Sequence, residues 1–192
     1  MGVVEYLIDT FTKLIINGGF FAGFFIVFLE CFIPALPLSV FVALNVNAFG
    51  FFLGVLISWV ATSIGSFLCY TLFYQLEDKL LEKVFRKEKA IKIRNKVCNF
   101  KKIPLPYFVL LITLPFTPSS LVNVLSGISK MPRDKYILSI LIGKLFMIIF
   151  WGYVGMKVLK DITDIKSLLF IGVGLIIAYI ISRYIGKKMN IE

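Results

Sequence analysis

Long hydrophobic runs alternate with short polar or basic stretches along this chain. Three runs, at residues 51–75, 136–156 and 168–185, are predominantly apolar, and each is close to or above the about 20 residues that a transmembrane helix needs. Two further apolar runs, at residues 20–48 and 105–128, contain paired prolines, which interrupt helices. The pattern predicts an all-α polytopic membrane protein with spanning helices and two interrupted segments.

The N-terminal residues show a shorter, amphipathic pattern. Residues 3–16 place Glu5, Asp9 and Lys13 on one side of an otherwise apolar helix. Such a segment is typical of a helix that lies in the membrane interface. The Asn-Gly-Gly sequence at residues 17–19 is expected to end it.

Basic residues are concentrated in the loop at residues 77–102, where lysine and arginine far outnumber acidic residues. Basic loops mark the cytoplasmic side of membrane proteins and attract anionic lipid, so we predict that this loop is cytoplasmic. The net charge of +10 has the same explanation, and no nucleic-acid partner is expected.

The same rule predicts how the interrupted segments cross the membrane. The basic turn at residues 129–135 and the lysines near the C-terminus are also expected to be cytoplasmic. Residues 105–128 would then start and end on one side, as a re-entrant hairpin does. Residues 20–48 are expected to form a similar hairpin from the outer face.

The two interrupted segments resemble one another. Each has a P-x-x-P motif and leads into a helix that contains an Ile-Gly pair. The glycine of this pair is Gly65 in the first segment and Gly143 in the second. The prolines are Pro34, Pro37, Pro115 and Pro118. We therefore predict one membrane domain, residues 1–192, that contains two inverted repeats, residues 20–75 and 104–156, and a C-terminal transmembrane helix at residues 168–186.

Two charges are predicted to lie deep in the membrane. Glu30 precedes the first break, and an intramembrane acid costs at least about 2.5 kcal/mol, so a functional role is favoured over a residue that snorkels to the surface. Lys144 lies about 15 Å along its helix from Asp134. It either snorkels toward the cytoplasm, binds a phosphate or pairs with Glu30.

Polar residues near the breaks are candidates for helix capping, for ligand contact or for both. They are Asn45, Asn47, Thr117, Ser119, Ser120 and Asn123. The four prolines and Gly127 are interpreted as structural breakers of the hairpins. Lys130 and Arg133 are interpreted as topology charges or as phosphate-facing residues at the cytoplasmic mouth.

Composition excludes several classes of protein. The chain is 59% hydrophobic with a mean hydropathy of +0.91, too apolar for a soluble domain. It has no histidine, and we find no nucleophile elbow, phosphate-binding glycine loop or paired carboxylates. The three cysteines have no ligand-like spacing. We therefore expect no enzyme activity, no cofactor and no metal.

The residues around the breaks resemble those of the DedA / SNARE-associated Golgi protein superfamily, also called the VTT-domain family. The resemblance spans residues 20–155 and rests on E-x-x-x-P-x-x-P, which begins at Glu30, and on LPFTPSSLVNVLSGISKMPRDKYILSILIGK at residues 114–144. Family members commonly have an arginine three residues before the first proline of the second hairpin, where this chain has Ile112. Lys144 is the candidate replacement for that cation.

The resemblance implies movement of lipids between leaflets. Eukaryotic members are phospholipid scramblases, and bacterial ones carry undecaprenyl phosphate or phosphatidylethanolamine. We therefore expect a lipid transporter in a bacterial plasma membrane. Its expected partners are membrane lipids with anionic or phosphate headgroups, and a homo-oligomer is one option for its assembly. The alternatives are a small-ion or solute carrier, and a membrane organiser whose basic loop docks a partner.

Overall fold

The computed structural model describes residues 3–33, 38–84, 97, 99–115 and 117–160. Within these ranges it contains six α-helices, a short 3-10 helix and no strand. The α-helices are α1 (Val3–Glu30), α2 (Leu38–Phe49), α3 (Phe51–Val84), α4 (Leu105–Thr113), α5 (Ser119–Ile128) and α6 (Arg133–Lys160), and the 3-10 helix is Phe100–Lys102. The predicted all-α class is therefore confirmed for the described part of the chain.

Three helical stretches are long and apolar enough to cross a membrane. They are Lys13–Glu30, Phe51–Leu76 and Arg133–Met156. The last two match predicted spanning helices. The predicted C-terminal transmembrane helix at residues 168–186, Pro34, Pro37 and much of the basic loop lie outside the described residues.

Helix α1 bends at Gly19, within the predicted break at residues 17–19. Gly19 has φ 59° and ψ −149°, a conformation that is essentially restricted to glycine. The straight part of α1 that follows the bend is about 16 Å long, roughly half the thickness of a bilayer hydrocarbon core. The apolar stretch Lys13–Glu30 is therefore not one straight rod.

The part of α1 after the bend and α2 form an antiparallel pair of helices. The Phe20 and Phe49 ring centroids lie 4.7 Å apart, and Asn45 Nδ2 donates a hydrogen bond of 3.1 Å to the Gly23 carbonyl. The start of one helix therefore meets the end of the other, with the break between them at the opposite end. The depth of this break in a bilayer stays a prediction.

The second interrupted segment also turns back, with Leu114 at the C-cap of α4 and Pro118 at the N-cap of α5. Its two ends lie together, because Lys135 in α6 donates hydrogen bonds to the Lys101 and Ile103 carbonyls. We call this end of the molecule the basic end. It carries Lys101, Lys102, Lys130, Arg133 and Lys135.

The two interrupted segments pack on the long helices in a partly equivalent way. The first helix of each, α1 or α4, packs on the long helix that follows it, α3 or α6. The second helix of each also contacts the long helix of the other segment: α2 packs on α6 and α5 on α3. The equivalence is incomplete, because α2 packs on α3 as well, whereas in the described part of the chain α5 has no comparable contact with α6.

The Ile-Gly pairs lie at equivalent contacts in the two segments. A Cβ atom on Gly65 would lie 2.9 Å from Cys31 Sγ, and one on Gly143 would lie 2.8 Å from Ile112 Cβ. Cys31 and Ile112 each stand three residues before the first proline of their P-x-x-P motif. The two glycines therefore allow the long helices to approach their hairpins at corresponding points.

Buried apolar side chains form two clusters. The first apolar cluster includes Phe41, Val42, Val46, Val55, Ala61, Met147 and Ile148. The second apolar cluster consists of Tyr70, Ile103, Phe108, Ile112, Val122, Met131, Tyr136 and Ile140 and lies toward the basic end. The candidate site lies between these clusters.

Candidate functional site

A layer of buried polar side chains separates the two apolar clusters. Along α6, Lys144 lies between Ile140 of the second cluster and Ile148 of the first. Along α3, buried Ser66 lies one turn before Tyr70 of the second cluster. The polar layer is at the level of both chain breaks.

The centre of this layer is formed by Lys144, Ser119 and Glu30. Lys144 is only 2% exposed, and its Nζ donates a hydrogen bond of 2.5 Å to Ser119 Oγ. Glu30, the last residue of α1, is 5% exposed and lies in electrostatic contact with Lys144 and within hydrogen-bonding reach of Ser119. The structure thus brings together three of the predicted site residues, and neither charge reaches the protein surface.

The charges in this site are arranged to offset one another. Burying an ion costs several kcal/mol, about as much as is regained when it is well paired and hydrogen-bonded. Ser119 is the first residue of α5, so the partial positive charge of the helix start adds to the ammonium of Lys144. Pro118 at the N-cap offers no side-chain hydrogen bond to this end. The site thus combines a buried ammonium, the start of a helix and a nearby buried acid, Glu30.

Asn123 connects three elements beside this pair. Its Nδ2 donates to the Cys31 carbonyl at 3.4 Å, in the break after α1. Its Oδ1 accepts a 2.8 Å hydrogen bond from Tyr136 Oη, which also lies 3.1 Å from the Ser66 carbonyl. Cys31 Sγ in turn lies 3.5 Å from the Thr62 carbonyl. Sequence reasoning identified Asn123 but missed Tyr136 and Ser66.

The cavity beside Lys144 is small. Its lining residues are Ile112, Thr117, Ser119, Val122, Asn123, Ile140, Lys144 and Met147. Its volume is about 10 Å³, room for about one water molecule. A phosphate group is larger than a water molecule, so a headgroup could enter only if the lining helices moved apart.

Comparison with known proteins places this arrangement in a family. The family model of the VTT domain matches residues 33–157, most of the chain. The chain belongs to the VTT-domain (DedA) family. Family membership was the resemblance drawn from the residues at the two breaks, and it is confirmed. The family is generally regarded as one of membrane transporters rather than enzymes.

One relative of this chain is the uncharacterized membrane protein YhjE of Bacillus subtilis (strain 168). The two sequences are 31% identical over 165 residues, which cover 84% of this chain and 75% of YhjE. No solved structure matches this VTT-domain protein. The family match includes Ser119, Asn123 and Lys144, whereas Glu30 lies just before its first residue.

Asn45 lies elsewhere in this VTT-domain protein. It is fully buried in α2, where its Nδ2 donates to the Gly23 carbonyl and, at 3.0 Å, to Ser58 Oγ. These contacts hold α2 against α1 and α3. The structure does not place Asn45 beside Glu30 and Lys144.

Gly127 does not break the second hairpin, which corrects the interpretation from sequence. It lies inside α5, where a Cβ atom would be 2.6 Å from the Tyr70 carbonyl and 2.9 Å from the Tyr74 nitrogen. The physical role of this glycine is the close approach of α5 to α3. Pro118, by contrast, stands at the N-cap of α5, and Pro115 lies in the turn before it.

Lys130 and Arg133 lie at the basic end, away from the polar layer. Lys130 Nζ donates a hydrogen bond of 2.8 Å to the Tyr74 carbonyl and lies 4.7 Å from the centre of the Tyr74 ring. Arg133 lies over the same ring at 5.4 Å. Both cations thus contact α3 at Tyr74, within the helix rather than at its end at Val84. Among the described residues, no group of His, Cys, Asp or Glu could hold a metal ion.

Proposed function

We propose that this VTT-domain protein is a lipid transporter, a scramblase or flippase, for a phospholipid or a polyprenyl phosphate of the bacterial plasma membrane. The observation that carries the proposal is the buried ammonium of Lys144 at the start of α5, with the buried acid Glu30 close enough to interact with it electrostatically. An intramembrane cation at a broken helix is suited to a phosphate, because ammonium and backbone N–H groups both donate to phosphate oxygens.

In this mechanism the headgroup phosphate takes the place of the Glu30 carboxylate. Phosphate oxygens accept the hydrogen bonds of Lys144 and of the first turn of α5. The displaced Glu30 then takes up a proton, because an unpaired carboxylate in a low-dielectric site is costly. A proton gradient can therefore drive the exchange, which agrees with the absence of nucleotide-binding motifs in the sequence.

The proposal is tested by reconstitution of the purified protein alone in liposomes. Phospholipids with a fluorescent label, and separately a labelled polyprenyl phosphate, are followed by quenching of the outer leaflet. We expect transfer between leaflets to be faster than in protein-free vesicles and than in vesicles with Lys144→Met. Equal rates in all three preparations for every lipid would contradict a lipid transporter.

A small-ion or solute carrier is the second candidate, and the cavity volume of about 10 Å³ favours it. It predicts ion or solute flux in the same liposomes without lipid transfer. The remaining alternative, a membrane organiser, predicts no flux of either kind without a protein partner. The reconstitution experiment therefore separates all three.

A further inference from the structure

Two stacked tyrosines, Tyr70 and Tyr136, close the polar site toward the basic end. Their ring centroids lie 4.2 Å apart with an angle of 16° between the planes, and both side chains are fully buried. Tyr70 lies one helical turn from Ser66, and Tyr136 about two turns from Lys144, both on the basic side. The stacked rings therefore lie between Lys144 and the basic end.

The two hydroxyl groups connect the site to the basic end. Tyr136 Oη donates to Asn123 Oδ1 at 2.8 Å, within the polar layer. Tyr70 Oη donates at 2.6 Å to the Met131 carbonyl, in the turn between α5 and α6. The stacked rings therefore bridge Asn123 in the polar layer and this turn.

The surroundings of the tyrosine pair favour opening at this point. Tyr70 and Tyr136 belong to α3 and α6, which pack on one another, and the flanking helices α4 and α5 pack chiefly on α6 and on α3, respectively. Side chains of the second apolar cluster fill the space between α4 and α5. One of them is Phe108, whose ring lies 6.5 Å from that of Tyr136. Moving side chains requires less rearrangement than separating two packed helices.

We propose that the Tyr70–Tyr136 pair is the gate between the Glu30–Lys144 site and the basic end. Tyr136 is released from Asn123 when a hydrogen-bond donor of the ligand takes its place there, and the rings then separate. The nature of the ligand rests on the proposed function, whereas the position of the gate rests on contacts within the protein. The expected topology makes this the cytoplasmic gate.

Cys31 is a native reporter for the gate. Its side chain is fully buried in the polar layer, and its carbonyl accepts the hydrogen bond of Asn123. With Cys69→Ser and Cys98→Ser in the full chain, Cys31 is the remaining thiol. Its reaction with a charged, membrane-impermeant methanethiosulfonate is measured in inside-out and in right-side-out vesicles.

Tyr136→Phe removes the hydroxyl group and keeps the ring. We expect Cys31 to react about tenfold faster from the basic face, the effect of one lost buried hydrogen bond on an opening equilibrium, and at an unchanged rate from the other face. Tyr70→Phe is expected to act in the same direction. Tyr136→Leu, which also removes the stacking, is expected to act more strongly.

The matched control is Ser139→Ala, one turn further along α6. It also removes a buried hydroxyl, but this one bonds back to the Lys135 carbonyl of its own helix. The gate is refuted if both phenylalanine variants behave like this control, or if reaction speeds up equally from both faces, as general loosening would cause. If the rates change as expected while no lipid moves in liposomes, the gate stands and the lipid substrate is wrong.

Discussion

The coupling between Glu30 and Lys144 is the most direct test of the proposed site. Both side chains are almost completely buried, and Ser119 lies between them. Removing one member of a buried ion pair leaves an unpaired charge and costs about 3–5 kcal/mol, whereas replacing both members leaves no unpaired charge and costs less than the sum of the two single losses. We take about 3 kcal/mol for Glu30→Gln and for Lys144→Met.

The double variant is then expected to lose about 3 kcal/mol in the free energy of unfolding, whereas two independent sites would lose about 6 kcal/mol. The difference, about 3 kcal/mol, is the expected coupling energy. The free energies come from reversible unfolding of the purified variants in mixed micelles. Exposed Lys101→Met at the basic end provides a control cycle with Glu30→Gln and is expected to be additive. Additivity in the Glu30–Lys144 cycle as well would mean that the two charges do not sense one another.

Lipid transport by the wild-type protein, the two single variants and the double variant tests the role of each charge separately. Glu30→Gln is expected to lower transport and to flatten its dependence on pH, because the site then lacks its titrating carboxyl group. Lys144→Met is expected to lower the transport of anionic lipids more than that of zwitterionic ones. A uniform loss for all lipids with an unchanged pH profile would assign both residues a structural role only.

Two further predictions concern the breaks and the topology. The double variant Pro115→Ala, Pro118→Ala is expected to lower transport more than it lowers the yield of folded protein. The reason is that these prolines expose backbone groups at the site rather than fill the core. Normal transport by this variant would show that the break is dispensable. Single cysteines at positions 102 and 130 are expected to be labelled from the cytoplasmic side and one at position 50 from outside, and labelling of 102 and 130 from opposite faces would exclude the second hairpin.

The positions of the chain breaks were predictable because local chemistry sets them. Proline removes a backbone donor and clashes with the preceding turn, so the P-x-x-P at Pro115 ends α4 wherever the segment lies. The bend at Gly19 likewise follows from a conformation that other residues avoid. Helix α3 continues to Val84, past residue 75, where the predicted membrane span ends. A rise in charge marks the edge of a membrane span but does not end a helix.

The partners of the polar residues were less predictable. Sequence position gives the depth of a residue along a helix, whereas its direction depends on how distant helices pack. Asn45 and Asn123 both follow a proline pair, yet one bonds to Gly23 and the other to Cys31 and Tyr136. Tyr136 had no signal of its own, because a tyrosine in an apolar helix looks like any packing aromatic residue.

The two charges fall in different predicted repeats. Glu30 in the first predicted copy corresponds to Leu111 in the second, each four residues before the first proline. Lys144, which follows Gly143, corresponds to Ser66, which follows Gly65. In the predicted arrangement, one copy therefore supplies the acid and the other the base.

A pair divided in this way exists only while the two copies are packed together. Separating them without a ligand would leave two unpaired charges in a medium of low dielectric constant, which opposes opening of the empty protein. A phosphate that binds Lys144, with a proton on Glu30, neutralises both charges and removes that cost. The same two residues would thus keep the empty site closed and allow the loaded site to open, which is what a transporter needs in order to move its ligand without leaking other ions.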